Sequence, residues 1–371
     1  MHKKTIILGF MLVFLSLITA GCTDFLTRND GSITYGARPT EIIYTIQYGF
    51  YINCSGSGSY DITYNCDIPE VLDGNCSYEI LHPFDYEIKT IVNNRMCSWN
   101  IHGMGDGNYV LGIKANVTSK SIIFPNLNGA NALTISEIKD NHLEIFEQYT
   151  KTQALNDTIY IDSSDPIIVD IAQDILNESS TENSFIVAKN LFKWLKQETT
   201  YYTHVIKYDL QPAILTYNLK TGDCDDLSVL YISLCKAAEI PARFIRGITI
   251  QKSEGNSKIF AVPHAWVEVF VGGNIGNDGW IPVECAGTAT GENKISSEVN
   301  QNFALESAEH LRLLEGNGSN ESLNVSMSGP LVIYNPLSIE ISMEGFVNVL
   351  NYKVLKQNEL YIDKNNNRFY Q

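Results

Sequence analysis

Thr221-Gly222-Asp223-Cys224-Asp225-Asp226-Leu227 is the stretch that decides how the chain is organised. A glycine-containing turn enters an apolar helix here, because hydrophobic residues recur at helical spacing from Leu227 to Ala238. This pattern predicts that Cys224 lies at or beside the helix N-terminus. The unpaired backbone N–H groups and the helix dipole at such a position favour the thiolate, which is the nucleophilic form of cysteine.

Two later strands carry the side chains that such a thiol needs. The first is predicted around Pro263-His264-Ala265-Trp266, and the next ends in Trp280-Ile281-Pro282-Val283-Glu284. An imidazole held on a strand can accept the thiol proton, and a carboxylate on the adjacent strand can orient the ring and stabilise its charged form. The sequence therefore predicts Cys224, His264 and Glu284 as the catalytic residues, with the backbone N–H of Cys224 as a donor to the oxyanion.

Three aspartates surround the predicted nucleophile: Asp223, Asp225 and Asp226. Their carboxylates can cap the helix or bind a substrate amine, and capping is the favoured interpretation. Negative charge at this place also opposes thiolate formation. Each residue of the predicted site has an ordinary structural explanation when it is taken alone, such as a cysteine at a helix start or a packed strand histidine.

The order of these motifs resembles that of the transglutaminase-like superfamily. A helix begins at the cysteine, Ile240-Pro241-Ala242-Arg243 follows it, and a His-Ala-Trp strand and a Trp-x-Pro-Val-acid strand come next. The match covers residues 159–284, with weaker similarity to about Ser328. The resemblance implies a papain-like α+β domain in which Cys224 is the nucleophile, His264 is the base and the acid orients the base.

The chain departs from the family pattern at the acid. The family usually has Asp followed by Pro-Thr, whereas this chain has Glu284-Cys285-Ala286. The extra methylene of Glu requires a small shift of the strand or of the ring. Family members that cleave glycans from peptides usually carry zinc-binding Cys-x-x-Cys pairs, and this chain has none. We therefore expect no cofactor and no metal, and that activity is not favoured.

Two functions from different classes stay open. In the first, the chain is a thiol hydrolase or acyltransferase that acts on a protein or peptide substrate through an acyl-thioester. The acceptor is water or an amine, and hydrolysis is slightly favoured because many simple microbial family members are expected to be proteases. In the second, the chain is a non-catalytic surface-binding or envelope-structural protein built on the same domain. The intact cysteine and histidine favour the enzyme.

The composition excludes one class of partner. The 371 residues carry a net charge of −16, and 44% of them are hydrophobic while only 18% are charged. This balance is typical of a folded protein with room for two domains. No nucleic-acid partner is expected, because such an acidic chain would not neutralise phosphates.

Residues 1–22 are predicted to be a targeting segment rather than part of the fold. A short basic start is followed by an apolar run from Thr5 to Leu17 and then by Ala20-Gly21-Cys22. This resembles the lipobox of exported lipoproteins, which implies cleavage before Cys22 and a lipid on its sulfur. The lipid would anchor the protein to the outer face of the cell membrane. An ordinary signal peptide and an uncleaved anchor are the alternatives.

Eight Asn-x-Ser/Thr sequons agree weakly with a glycosylated protein on the exterior of an archaeal or bacterial cell. They begin at Asn53, Asn75, Asn116, Asn156, Asn177, Asn317, Asn320 and Asn324.

The cysteines after residue 22 fall into two sets. The N-terminal set predicts two disulfides of an exported domain, and it consists of Cys54, Cys66, Cys76 and Cys97. The pair Cys54–Cys66 is excluded, because a hairpin closed at residues 55–59 would hold the two sulfurs roughly 20 Å apart. The second set is Cys224, Cys235 and Cys285. Cys235 is too far along the helix to pair with Cys224, and a Cys224–Cys285 bond stays open.

The predicted fold class is α+β, with an N-terminal β-sandwich followed by the transglutaminase-like domain. Short alternating strands with hairpins closed at residues 55–59 and 103–108 predict the sandwich. Asp165-Pro166 predicts the first helix start of the second domain, and residues 316–328 predict an exposed loop. The full predicted division is signal 1–22, tether 23–40, β-sandwich 41–133, linker 134–158, catalytic domain 159–328 and C-terminal strands 329–371.

Overall fold

The structure of the protein is a computed structural model that describes residues 26–27, 31–91, 94–151, 159–203, 210–252, 258–287, 292–320, 323 and 329–371. The predicted lipid attachment site Cys22, the rest of residues 1–22 and the sequons at Asn156 and Asn324 lie outside the described residues.

The described residues form seven helices and eighteen strands. The helices are α1 Ile135–Asn141, α2 Leu143–Thr150, α3 Pro166–Ser179, α4 Ser184–Glu198, α5 Ala213–Leu219, α6 Cys224–Ala237 and α7 Glu292–Asn302. The strands are β1 Leu26–Thr27, β2 Ile33–Gly56, β3 Ser59–Asp67, β4 Gly74–Ile80, β5 Tyr86–Ile91, β6 Asn94–Met104, β7 Gly107–Lys120, β8 Ile122–Ile123, β9 Thr200–Tyr201, β10 Thr221–Gly222, β11 Ala242–Lys252, β12 Ile259–Phe270, β13 Trp280–Val283, β14 Leu305–Glu306, β15 His310–Glu315, β16 Leu331–Tyr334, β17 Ile339–Ile362 and β18 Arg368–Tyr370. Within the described ranges, no helix is both long enough and apolar enough to cross a membrane.

Two antiparallel sheets are built from both ends of the chain. The larger has the strand order β18-β17-β2-β7-β4, with β1 beside β2, and the smaller has the order β16-β3-β6-β5. β17 pairs with β2 over most of its length, and β16 pairs with β3. Alternate residues of both sheets, among them Ile46 and Trp99, meet in one buried core. The predicted sandwich of residues 41–133 is therefore not confirmed as a separate unit, because C-terminal strands complete both sheets.

Both predicted hairpins are wrong. β2 and β3 flank the turn at residues 55–59, but β2 belongs to the larger sheet and β3 to the smaller one. β6 and β7, which flank residues 103–108, are divided in the same way. Each turn therefore carries the chain from one sheet to the other. Alternation reports which face of a strand is buried, and it does not identify the neighbouring strand.

The predicted tether and the predicted linker both contain regular secondary structure. Residues 33–40 of the predicted tether are part of β2, and the predicted linker contains α1 and α2. Phe146 of α2 packs in one cluster with Phe270 of β12 and Trp280 of β13. This segment therefore belongs to the packed structure around the second domain.

The described part of the segment predicted to be an exposed loop, residues 316–320 and 323, is largely buried. Asn320 is only 1% exposed. Its side-chain oxygen accepts hydrogen bonds from the backbone N–H groups of Tyr160 and Ile161, both at 2.8 Å. A sequon asparagine buried in this way is not open to a glycan.

A second four-stranded antiparallel sheet, in the order β13-β12-β11-β15, carries the predicted site residues His264 and Glu284 on or directly after its strands. The long helix α6 packs against the face of this sheet that contains Ala265 and Val267. Helix α3 begins as the sequence predicts, because the carboxylate of Asp165 accepts hydrogen bonds from the backbone N–H groups of the first turn.

Cys66 and Cys97 are directly opposite each other on β3 and β6, and both are buried. Opposite residues of antiparallel strands have Cα atoms about 4.5 or 5.5 Å apart. Both distances lie within the range of about 4.4–6.8 Å that a disulfide spans. The thiols are free in this structure.

Cys54 is out of reach of the other cysteines of its set. It lies beside the start of β3, whereas Cys66 lies near the end of that strand, roughly 20 Å away. Cys54 and Cys76 both lie opposite residues of β7, Cys54 opposite Gly107 and Cys76 opposite Val117. These two residues of β7 are roughly 33 Å apart, so Cys54 cannot reach Cys76 either. The prediction of two disulfides among these four cysteines is therefore wrong, since at most one pair can form without Cys54.

We expect oxidised glutathione to link Cys66 to Cys97, since two electrons and two protons pass to the glutathione disulfide and no strand has to move. Peptide mapping under non-reducing conditions should find this pair in the wild type and in a Cys54→Ser control. Cys97→Ser should abolish it. A bond from Cys54 to Cys66 or to Cys76 would contradict the strand pairing.

Candidate active site

Helix α6 begins at Cys224, where the sequence predicts it. Asp223 is the N-cap residue, and its backbone N–H donates a hydrogen bond to the carboxylate of Asp226 at 3.2 Å. The same carboxylate accepts a bond from the backbone N–H of Gln211 at 2.8 Å, and Asp226 is only 3% exposed. Asp226 therefore has the capping role that the sequence favours.

The thiol of Cys224 lies at an open edge of β12. β13 ends at Val283, opposite Val267, so the part of β12 that precedes Val267 has no partner from β13. There the backbone N–H of Ala265 donates a hydrogen bond to the sulfur of Cys224. Because Ala265 directly follows His264, this contact brings the predicted nucleophile beside the residue predicted to be its base.

The resting thiol is protonated. Burial raises the pKa of Cys224 well above its ordinary value, and the charges of Asp225 and Asp223 raise it further. The hydrogen bond from Ala265 acts in the opposite direction and is the weaker influence. The expected thiolate–imidazolium pair is therefore not the resting state. The helix N-terminus does favour a thiolate, but the sequence does not show the surroundings of the sulfur in the half-buried Cys224.

Asp223 and Asp225 behave as a pair. Burial raises the pKa of Asp223 to about 9, and a hydrogen bond to Asp225 with the charge of that neighbour contributes to the rise. Asp223 is therefore protonated at neutral pH. The charge of Asp225 lies near the sulfur of Cys224 and opposes its ionisation.

Glu284 accepts a hydrogen bond from His264, with 2.6 Å between Oε2 and Nε2. Burial alone would raise the pKa of Glu284, but His264, His310 and the backbone N–H of Ala286 together lower it to about 2. Glu284 is therefore ionised at neutral pH and can only accept hydrogen bonds. It follows that Nε2 of His264 carries a proton and that Nδ1 is the nitrogen left to accept one from the thiol.

The register of the sheet explains how a glutamate reaches the ring. Val267 and Val283 form the last pair of this ladder, and its register, extended by one residue, would set Glu284 opposite Trp266 and diagonal to His264, on the same face. Diagonal neighbours of this kind have Cα atoms about 7–8 Å apart, which long side chains can span. The extra methylene that departs from the family pattern thus extends the carboxylate toward its partner.

A buried lysine holds the turn that follows Glu284. Lys196 of α4 is 2% exposed, and its Nζ donates to the carbonyl oxygens of residues 285–287 at 3.0, 2.6 and 3.3 Å. The same Nζ lies 3.4 Å from a carboxylate oxygen of Glu298. Within this turn, the backbone N–H of Ala286 donates to Oε1 of Glu284 at 2.7 Å. Helix α4 therefore fixes the turn and, through it, the carboxylate.

His310 is a residue of this site that the sequence reasoning missed. Its Nε2 lies 3.4 Å from Oε2 of Glu284, and its ring stacks on Trp266 with 4.6 Å between ring centres. Burial and the neighbouring His264 lower the pKa of His310 to about 3, so the ring is neutral at neutral pH. No local motif marks this residue, because only the pairing of β15 with β11 brings it to the site.

Among the residues that the structure describes, two groups of side chains have the spacing of a metal site. In each, the ligand atoms lie within 4.8 Å of one another, and the groups are His264, Glu284 and His310, and Asp223, Cys224 and Asp225. A cation in the first group would take the position of the proton between His264 and Glu284. Metal binding there would therefore compete with the hydrogen bond that orients the ring.

The other two cysteines of the second domain lie in the core. Cys235 and Cys285 are fully buried in the cluster beneath α6, and both thiols are free. Cys224 is also free. The Cys224–Cys285 bond that the sequence left open is therefore not formed.

Comparison with known families finds a match within this part of the chain. The model of the transglutaminase-like superfamily matches residues 169–285, which include Cys224, His264 and Glu284. A search of curated protein sequences finds no match.

Solved structures show a likeness of fold. A candidate cysteine protease from Cytophaga hutchinsonii superposes with a TM-score of 0.51 at 14% identity, over 91% of this chain and 99% of that chain. The periplasmic domain of TgpA from Pseudomonas aeruginosa gives a TM-score of 0.34 at 13% identity, over 72% of this chain and 94% of that chain. Red sea bream transglutaminase gives a TM-score of 0.29 at 11% identity, over 68% of this chain and 47% of that chain.

Together, the family match and the first of these structures identify a mixed α/β protein that contains a transglutaminase-like domain. Members of that superfamily are commonly cysteine-dependent hydrolases or acyltransferases.

Proposed function

We propose that the chain is a cell-surface thiol enzyme that acts on amide or peptide bonds through an acyl-thioester. The observation that carries the proposal is the 2.6 Å hydrogen bond between His264 and Glu284, directly beside the Ala265 N–H that holds the sulfur of Cys224. A surface-binding protein would need neither a base held by a buried, ionised acid nor a thiol fixed beside it. The enzymatic function is therefore favoured over the non-catalytic one.

The first chemical step forms the acyl-thioester. The proton of Cys224 passes to Nδ1 of His264 as the sulfur attacks the carbonyl carbon, and the new imidazolium is stabilised by Glu284. The backbone N–H of Cys224 donates to the oxyanion. The imidazolium then gives its proton to the leaving amine, the C–N bond breaks, and the acyl group stays on the sulfur.

The second step depends on the acceptor. Nδ1 of His264 removes a proton from water, the resulting nucleophile attacks the thioester carbonyl, and the departing sulfur of Cys224 recovers a proton. A primary amine in the place of water gives transamidation by the same proton transfers. We favour hydrolysis, because it needs no second substrate site.

We expect single substitutions to rank the three residues. Cys224→Ala should abolish labelling by an activity-based thiol probe at this residue, and His264→Ala should slow peptide cleavage by roughly 10²-fold or more because the base is lost. Glu284→Gln should cost less than the roughly 10⁴-fold loss known for the acid of a serine triad. Glu284→Asp should also be impaired, because the shorter side chain cannot span the diagonal. Cleavage of a peptide library, followed by mass spectrometry, measures these rates.

The exposed histidine of β6 provides a matched control, and His102→Ala should behave as the wild type. Addition of a fluorescent primary amine tests the acceptor, and we expect hydrolysed peptide to exceed the amine adduct. If neither change at Glu284 alters a reaction that depends on Cys224, the orienting acid is misassigned. If Cys224→Ala leaves all turnover intact, the proposed function is wrong.

We expect the double change Asp223→Asn with Asp225→Asn to make Cys224 more reactive. It removes the negative charge beside the sulfur, so the thiol pKa falls and more thiolate is present at pH 7, while Asn preserves a good N-cap. Alkylation by iodoacetamide at pH 7, followed peptide by peptide, should accelerate roughly three- to tenfold. Asp225→Asn alone should do less, because Asp223 then ionises more readily.

Glu344→Gln on β17 is the control, because it makes the same kind of charge change at an exposed position of another sheet. A slower alkylation of Cys224 in the double variant would contradict the electrostatic account of the thiol.

Placement at the cell surface is also part of the proposal. It is supported by the basic start, the apolar run and the Ala20-Gly21-Cys22 sequence of the N-terminus. We expect the mature protein to begin at a lipid-modified Cys22, which mass spectrometry of the natively expressed protein would detect. An unmodified N-terminus elsewhere in the chain would refute lipid anchoring without affecting the proposed chemistry.

A further inference from the structure

The proposed chemistry leaves one buried histidine of the site without a role. The side chain of His310 is 8% exposed, and its Nε2 faces Oε2 of Glu284 at 3.4 Å. Its Nδ1 is buried and has no hydrogen-bond partner among the described residues. The ring thus presents one nitrogen to a carboxylate and the other to a place without an acceptor.

These surroundings select one tautomer of the ring. The neutral imidazole has a single N–H. A proton on Nδ1 would be buried without an acceptor, which is costly, whereas a proton on Nε2 points to the ionised carboxylate of Glu284. The titratable and charged groups that act on His310 are His264, Glu284 and Arg312, and burial together with His264 lowers the pKa of the ring, which is neutral at neutral pH. His310 is therefore arranged as an N–H donor.

The sheet is shaped to hold this ring in place. His264 pairs with Gly247 on β11, and His310 pairs with Thr249 two residues farther along, so both histidines lie on one face. A Cβ at Gly247 would lie 3.0 Å from the ring of Trp266 and 2.1 Å from a backbone oxygen of the neighbouring strand. The absence of a side chain there lets the Trp266 ring cross β11 and stack on His310.

With this contact, the carboxylate of Glu284 faces three N–H groups from three different parts of the fold. Nε2 of His264 on β12 and Nε2 of His310 on β15 face Oε2, and the backbone N–H of Ala286 donates to Oε1. The contact from His310 is the longest of the three. Hydrogen bonds in an active site without substrate are often long and shorten when substrate binds.

We propose that His310 is a positioning residue, whose Nε2–H holds the carboxylate of Glu284 in the orientation in which it fixes His264. This inference rests on the proposed thiol chemistry of Cys224. His310 touches neither the substrate nor the sulfur in this account, and it acts through the acid alone.

The test compares two replacements of His310 in the full-length protein. His310→Phe keeps a ring to pack on Trp266 but removes the donor, whereas His310→Gln can place an amide N–H near the position of Nε2. We expect His310→Phe to lower kcat about tenfold with KM within about twofold, and His310→Gln to stay within about threefold of the wild type. The rate at which iodoacetamide alkylates Cys224 at pH 7, measured without substrate, should fall in His310→Phe and stay close to the wild-type rate in His310→Gln.

A double-variant comparison separates positioning from packing. In a Glu284→Gln background, His310→Phe should change kcat and alkylation by less than about twofold, because its effect passes through the carboxylate. Wild-type kcat and alkylation in folded His310→Phe would overturn the proposal, and so would equal impairment of folded His310→Gln and His310→Phe. If His310→Phe fails to fold by circular dichroism, His310→Asn replaces it, since its amide is too short to reach Glu284.

The two readouts keep this inference distinct from the proposed function. If no substrate is turned over but the alkylation of Cys224 still falls in His310→Phe and recovers in His310→Gln, the proposed activity fails and the positioning role stands. If turnover depends on Cys224 and is indifferent to His310, the activity stands and the positioning role fails.

Discussion

The hydrogen bond between His264 and Glu284 is the interaction on which the rest of the candidate site depends. It joins the middle of β12 to the turn after β13, two segments that the strand ladder no longer connects at this point. A carboxylate that is only 17% exposed is costly to ionise unless charges or N–H groups compensate it. The neighbouring elements supply that compensation, and Lys196 holds the turn from which one of the donors comes.

The same face of the sheet carries a second buried charge that fixes the strands around the site. Glu268 lies on β12, on the same face as His264, and is completely buried. It accepts hydrogen bonds from Arg243 of β11 at 2.8 Å and from Arg312 of β15 at 2.6 Å. Burial would raise the pKa of Glu268, but the two arginines outweigh it and lower the pKa. Removing one partner of such a group typically costs about 3–5 kcal/mol. The network therefore penalises any slip of β11, β12 or β15, and with it any displacement of the two histidines.

Local signals in the sequence predicted the helix starts of the second domain. They did not predict the features that depend on the pairing of strands far apart in the sequence. Helix α6 begins at Cys224 and α3 at Pro166, because caps and helical periodicity are set within a few residues. The pairing of β2 with β17 was missed, since alternation defines a buried face and not a neighbour. His310 was not predicted as a site residue for the same reason, because only the pairing of β15 with β11 brings it near Glu284. The protonated state of Cys224 was missed because burial is a property of the whole fold.

The protonated thiol is compatible with the proposed chemistry if the charge separates only during the reaction. In the proposed chemistry, Glu284 stabilises an imidazolium that forms only when the thiol proton has moved to His264. The stabilisation by Glu284 therefore grows as the thiol proton moves to His264. Interactions that are stronger in the transition state than in the ground state are those that accelerate a reaction.

The negative charge of the Asp223–Asp225 pair acts on the sulfur in the opposite sense. It keeps the resting thiol in its less reactive form, which limits reaction of Cys224 with other electrophiles and with oxidants. In the proposed acyl-thioester the sulfur of Cys224 carries no charge, so the negative charge of Asp223 and Asp225 does not destabilise it. In the proposed chemistry a departing thiolate would meet the same repulsion again, so deacylation would be coupled to the return of a proton from His264 to the sulfur.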